Sequence, residues 1–161
     1  MTPRSLSSQL VVLLGWLLAA FAAAAVGAVA SGDAASGYAQ LSKPSWAPPA
    51  WVFGPVWSIL YVLMGIAAFL VWCEVRDKER KGTALVLYGG QLVLNTLWSV
   101  AFFGFHRVGL SLGIIALLWI GIAGCIWTFS KVSRPAARLM VPYLAWVTFA
   151  AYLNLGIYLL N

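Results

Sequence analysis

The sequence predicts an all-α integral membrane protein, a single bundle of five transmembrane helices over residues 1–161 with a long first loop acting as a lid. Two observations carry this. Of 161 residues, 63% are hydrophobic and only 9% charged, with a mean hydropathy of +0.92, whereas soluble domains carry about a quarter charged residues. The ten Lys and Arg and four Asp and Glu fall in short clusters between uncharged stretches long enough to cross a bilayer.

The first such stretch, 10–30, is Ala-rich and ends in Ala28-Val29-Ala30 before Ser31. With Arg4 ahead of it, it also looks like a secretory signal with its cleavage site. Its length of about 20 residues exceeds the roughly 7 to 15 of a signal core, which favours a retained span. Residues 31–51 form the long loop, too polar at its start and too proline-rich at its end to read as helix. Its prolines at 44, 48 and 49, with Pro55 just beyond, stiffen the backbone and hold Trp46 and Trp51 at small entropic cost. Lys43 is the loop's only cation, either a solvated interfacial lysine or a partner for an anionic ligand group.

Residues 52–73 give the second span, with Phe53, Trp57, Tyr61 and Met64 in a stripe at helical spacing. The charged residues from Glu74 to Lys81 read as a solvated turn. In the third span, 83–105, Gln91, Asn95, Trp98 and Phe102 share one face. An unpartnered buried amide costs on the order of 2 to 7 kcal/mol, so this face points into the bundle, towards an interhelical hydrogen bond or a ligand. The fourth span is 108–130, and the fifth, 139–160, repeats the pattern with Tyr143, Trp146, Ala150 and Asn154. Three such faces can enclose an aromatic cavity with few polar groups, the usual make-up of a small-molecule site; plain core packing is the competing reading for each.

Basic residues place the chain in the membrane. Arg4, Arg76, Lys78, Arg80, Lys81, Lys131, Arg134 and Arg138 fall on one side, against Lys43 and Arg107 on the other. The positive-inside rule puts the N-terminus in the cytoplasm and the lid and C-terminus across the membrane. The same asymmetry explains the net charge of +6 without nucleic-acid binding. Cys73 and Cys125 show no metal or redox spacing, and no acidic residue lies within a span to serve a proton relay. His106, in a short connection, lacks a second haem ligand in view.

Three separated motifs then resemble the translocator protein / tryptophan-rich sensory protein (TspO) family over essentially the whole chain. They are Tyr38-x-x-Leu41-x-Lys43-Pro44-x-Trp46-x-Pro48-Pro49-x-Trp51-Val52-Phe53-Gly54-Pro55, Gln91-Leu92-x-Leu94-Asn95-x-x-Trp98-Ser99 with Phe102-Phe103, and Val141-Pro142-Tyr143-Leu144-x-Trp146 with Leu153-Asn154. The resemblance implies a homodimer of five-helix protomers, a pocket closed by the first loop, and porphyrin or other hydrophobic ligands rather than an obligatory cofactor. It assigns Tyr38, Pro44, Trp46, Trp51, Phe53, Asn95, Trp98, Trp146, Ala150 and Asn154 to the pocket, and Trp51 and Trp146 to light-dependent porphyrin breakdown. To these the reading of the residues adds Lys43, facing porphyrin propionates. Two departures stand out: no basic residue follows Tyr152 or Tyr158, so the sterol-recognition pattern fails, and Gly37 stands where many relatives carry Trp. Membrane lipids and a second copy of the chain are the other expected partners. The expected function is a receptor or sensor for tetrapyrroles, with porphyrin degradation or transport of tetrapyrroles or lipids as alternatives.

Overall fold

The computed structural model describes residues 5–32, 34–74 and 78–161. Helices α1 (Leu6–Ser31), α3 (Phe53–Cys73), α4 (Lys78–Ser99), α5 (Val108–Val132) and α6 (Arg134–Leu160) are the membrane-spanning elements. Between the first two lie a short helix α2 (Ala34–Gln40) and a 3₁₀ turn (Ala50–Val52), and α4 continues into a π-helical segment (Val100–Gly104). Each span is long and apolar enough to cross a bilayer, so the chain is an integral, multi-pass membrane protein.

The starts of α1, α4 and α6 lie upstream of their hydrophobic runs because local chemistry, not hydropathy, sets them. Ser5 caps α1, its hydroxyl accepting from the Ser8 amide at 3.3 Å. Lys78 to Lys81 form the first turn of α4, which corrects the expected solvated turn from Glu74 to Lys81; of the residues in question Arg76, like Arg4, lies outside the described residues. Only Ser133 separates α5 from α6, and Pro135 in the first turn of α6 suits a position whose N–H has no intrahelical partner. A second correction concerns the loop, whose residues 34–40 are helical.

The spans close into a ring: α1 packs on α3, α3 on α6, α6 on α5, α5 on α4, and α4 back on α1. Lipid tails are as apolar as Leu, so packing and interhelical hydrogen bonds must hold this ring. One chain of bonds crosses it. Tyr61 on α3 donates to Asn95 Oδ1 on α4 at 2.6 Å, Asn95 Nδ2 donates to Tyr143 Oη on α6 at 3.0 Å, and Tyr143 donates to Gln91 Oε1 at 2.9 Å. Gln91 Nε2 ends the chain at Met64 Sδ, 3.9 Å away. A second knot joins α4, α5 and α6: Asn154 Oδ1 accepts from Trp98 Nε1 at 3.2 Å and from Ser111 Oγ at 2.8 Å, while its Nδ2 donates to the Val108 carbonyl at 3.1 Å.

Close packing marks the contact between α1 and α3. It depends on Gly65, where an added Cβ would stand 2.7 Å from Leu17 Cδ2 and 3.0 Å from Leu17 Cα. Because the second of these atoms is backbone, the helices themselves must part to admit a methyl group. Gly65→Ala is therefore expected to cost on the order of 1 to 3 kcal/mol and to lower the melting temperature in detergent. An unchanged melt would contradict the close approach.

Candidate ligand cavity

A cavity of about 430 Å³ opens beside that contact, towards the lid. Phe21, Ala24, Gly27 and Ala28 of α1 form one wall; Phe53, Gly54, Trp57, Ser58 and Tyr61 of α3 face them. Tyr38 and Ala50 of the lid close one end, and Ser99 and Phe103 form the floor. Six rings and no charged side chain line it, and small residues on α1 supply the space.

The rings brace one another. Phe53 meets Tyr38 at 5.3 Å and Phe103 at 6.3 Å between centroids, both edge to face. Trp57 stacks on Tyr61 at 5.6 Å and touches Trp98 and Tyr143, each at 6.0 Å. Phe103 reaches the cavity through the π-helical segment, where the Phe105 amide donates to the Val100 carbonyl at 2.9 Å, an i to i+5 bond. The widened turn lets neighbouring rings both point inwards. Phe102 stacks on Trp98 at 5.7 Å, and Phe103 meets Phe53.

The residues singled out from sequence occupy three distinct settings. Tyr38 and Phe53 line the cavity. Asn95, Trp98, Ala150 and Asn154 lie behind its wall, buried, and both asparagine side chains are engaged in the interhelical bonds described above. Pro44, Trp46 and Trp51 lie outside it. Trp51 is 74% exposed, and Trp46 stacks on Tyr152 of α6 at 4.9 Å. Trp146 is half-buried beside Phe53 at 6.0 Å and Phe149 at 5.3 Å, and does not line the cavity. Its indole nitrogen is buried without an acceptor among the described residues. The structure thus sets the cavity one layer closer to α1 than the sequence motifs suggest. Trp57 and Tyr61, which belong to the α3 stripe, and Phe21, Ser99 and Phe103, which no pattern signalled as cavity residues, make up much of the lining.

The lid is a strap fastened at several points. Lys43 Nζ donates to the carbonyls of Tyr38, Ala39 and Leu41 at 2.8, 3.1 and 2.9 Å, capping α2, and stands 5.0 Å from the Tyr38 ring centroid. Tyr38 donates to the Pro48 carbonyl at 3.0 Å, and burial raises its pKa, keeping the donor proton in place. Pro44 lies against Gly156, where a Cβ would come within 2.7 Å of its Cγ. Asn161 pairs with the backbone of Ser42 in both directions, at 3.0 and 2.9 Å. Gly37 has a reason of its own, since a Cβ there would overlap His106 Nε2. The imidazole thus occupies the space beside Gly37 at which a larger residue would clash.

The model of the TspO/MBR family matches residues 12–160. The chain belongs to the TspO/MBR family. It is 45% identical over 111 residues to Tryptophan-rich protein TspO of Chlorobaculum tepidum, covering 69% of this chain and 70% of that one. To Tryptophan-rich sensory protein of Cereibacter sphaeroides it is 40% identical over 111 residues, with 69% and 68% covered. To Translocator protein of Homo sapiens it is 43% identical over 105 residues, with 65% and 62% covered. TspO/MBR membership agrees with the five spans.

Whether Lys43 serves the strap or an anionic ligand is open to direct measurement. Lys43→Met removes three charge-assisted bonds from the C-terminal end of α2 and is expected to destabilise that helix by about 1 kcal/mol. Faster amide exchange at residues 37–42 with no ligand present would show it. Exchange that matches wild type would leave Lys43 without a capping role.

Proposed function

We propose that the protein is a membrane receptor for flat, hydrophobic ligands of the porphyrin class, capturing them in the cavity between α1 and α3 and reporting or buffering their level. The observation that carries this reading is the cavity itself, with six rings on four elements, no charge, and a volume within the roughly 300 to 1,000 Å³ of small-molecule sites. A macrocycle stacks on such rings. Its carboxylates find no cation on the walls, so they belong at the aqueous mouth beneath the strap. The names of the relatives, a sensory protein and a translocator protein, accord with a ligand-responsive role.

The setting completes the proposal. The excess of basic residues at the end formed by the starts of α4 and α6 supports a cytoplasmic N-terminus, with the strap and C-terminus across a bacterial cell membrane. A homodimer is part of the same reading. Several small residues that could have served a dimer face are spent within the protomer: Ala20 and Ala84 are fully buried, and Gly109 packs on Tyr158. Gly89 and Gly113 keep open space over their Cα atoms for a second copy. In this reading, light-driven porphyrin breakdown begins at Trp57, the indole that lines the cavity, rather than at Trp51 or Trp146.

Quenching of tryptophan fluorescence by protoporphyrin tests the site. Phe53→Ala and Trp57→Ala are each expected to weaken binding roughly tenfold, the loss of one ring contact and its buried area, while Trp51→Ala changes affinity less than about twofold. Equal affinity for wild type and Trp57→Ala would refute this cavity. The dimethyl ester of protoporphyrin should bind as tightly as the free acid, since no cation lines the walls. A strong preference for the acid would instead bring Lys43 or another cation into the site. Under illumination, Trp51→Phe with Trp146→Phe should lose porphyrin absorbance at the wild-type rate and Trp57→Phe more slowly; the reverse order would place the photochemistry at the outer tryptophans.

A further inference from the structure

A second cavity, of about 590 Å³, lies at the opposite end of the bundle from the strap, between the first turn of α4 and the last turns of α5. Its walls are Glu79, Arg80 and Thr83 on α4 and Trp127, Thr128 and Lys131 on α5. The chemistry is the inverse of the ligand cavity, with two cations, one carboxylate and one indole at a membrane interface. We propose that this cavity binds the phosphodiester headgroup of an anionic phospholipid.

Charge comes first. Arg80 and Lys131 outweigh Glu79, and the amides that open α4 add the positive end of its dipole. The Lys131 ammonium stands 5.7 Å from the Trp127 ring centroid, which sets it along the cavity wall. The hydroxyls of Thr83 and Thr128 donate to carbonyls of their own helices, those of Glu79 and of Gly124 and Cys125. Anion binding therefore rests on the two cations, as in basic pockets between transmembrane helices that hold lipid headgroups.

The path away from the cations selects a lipid over a free phosphate. One turn deeper on α5, Gly124 has no atom within 4 Å of its Cβ position, and two turns deeper on α4 Gly90 is equally open. Leu87, between them in depth, is 38% exposed, and Ile120 is 62% exposed. An acyl chain descending from a headgroup in the cavity would run over this apolar, glycine-relieved surface. Trp127, 66% exposed, supplies the interfacial indole that favours the glycerol level.

The test is native mass spectrometry of the full-length protein released from mixed vesicles of phosphatidylglycerol and phosphatidylcholine with matched acyl chains. The wild type should retain phosphatidylglycerol roughly tenfold or more over phosphatidylcholine, the effect of two cations near a headgroup. Arg80→Gln with Lys131→Gln should bring retention to near parity, while Arg134→Gln with Arg138→Gln, on the same membrane face but outside the cavity, should leave the preference within about twofold. Equal retention of the two lipids by wild type would overturn the proposal, as would an equal loss in the Arg134 and Arg138 variant, which would reduce it to general surface attraction. Displacement of the retained lipid by millimolar inorganic phosphate would mark the site as one for free phosphate and also overturn it. Should the double variant fail to fold, Lys131→Gln alone, on an exposed side chain, serves the same comparison.

Discussion

Everything in this protein leans on a line of side-chain hydrogen bonds from Tyr61 through Asn95 and Tyr143 to Gln91, drawn across three helices in a medium with no water to replace them. A single interhelical bond in a membrane contributes only about 0.6 kcal/mol. Consecutive bonds that leave no member of the line unpartnered act differently, because breaking one strands its neighbours in an apolar interior. The line fixes the register of α3 against α4 and α6. Trp57, one turn from Tyr61, is thereby held with one edge on the core and one face on open space.

That division of labour explains why the ligand cavity is apolar. The amides and the indole N–H of Trp98 are consumed in holding the bundle, so none is left to aim at a ligand. What remains for recognition is aromatic surface and shape. Helix α1 completes the shape from the other side, where Ala24, Gly27 and Ala28 leave room and where Gly65 lets the helix approach α3 closely. The strap closes the top through bonds to backbone atoms, and its tryptophans pack outwards or on α6 instead of into the cavity. Braced rings on α3 face small residues on α1, an arrangement suited to admitting a flat molecule with little rearrangement of the core.

Much of this was legible in the sequence. Uncharged runs located all five spans, and the spacing of Gln91, Asn95, Trp98 and Phe102 placed them on an inward face, since an amide at membrane depth has few other places to go. What the spacing could not tell was whether those amides meet each other or a ligand, because both satisfy the same donors. Helix starts were harder. Charged residues such as Lys78 to Lys81 lie outside the hydrophobic run yet form the first turn of a helix. Short-range backbone events were invisible: the π-helical segment that turns Phe103 inwards and the helix at residues 34–40 depend on tertiary contacts with no periodic signature. The side of α3 on which space opens depends on small residues of α1, and an alanine-rich helix does not by its sequence say which face it turns to a neighbour.

The most direct measurement is the structure of the protein with protoporphyrin bound. Density for the macrocycle between α1 and α3, in ring contact with Phe53 and Trp57 while Asn95 stays bonded to Tyr61 and Tyr143, is the expected result. A macrocycle seated between Trp51 and Trp146, or contacting Asn95 and Asn154 after their interhelical bonds have opened, would contradict it.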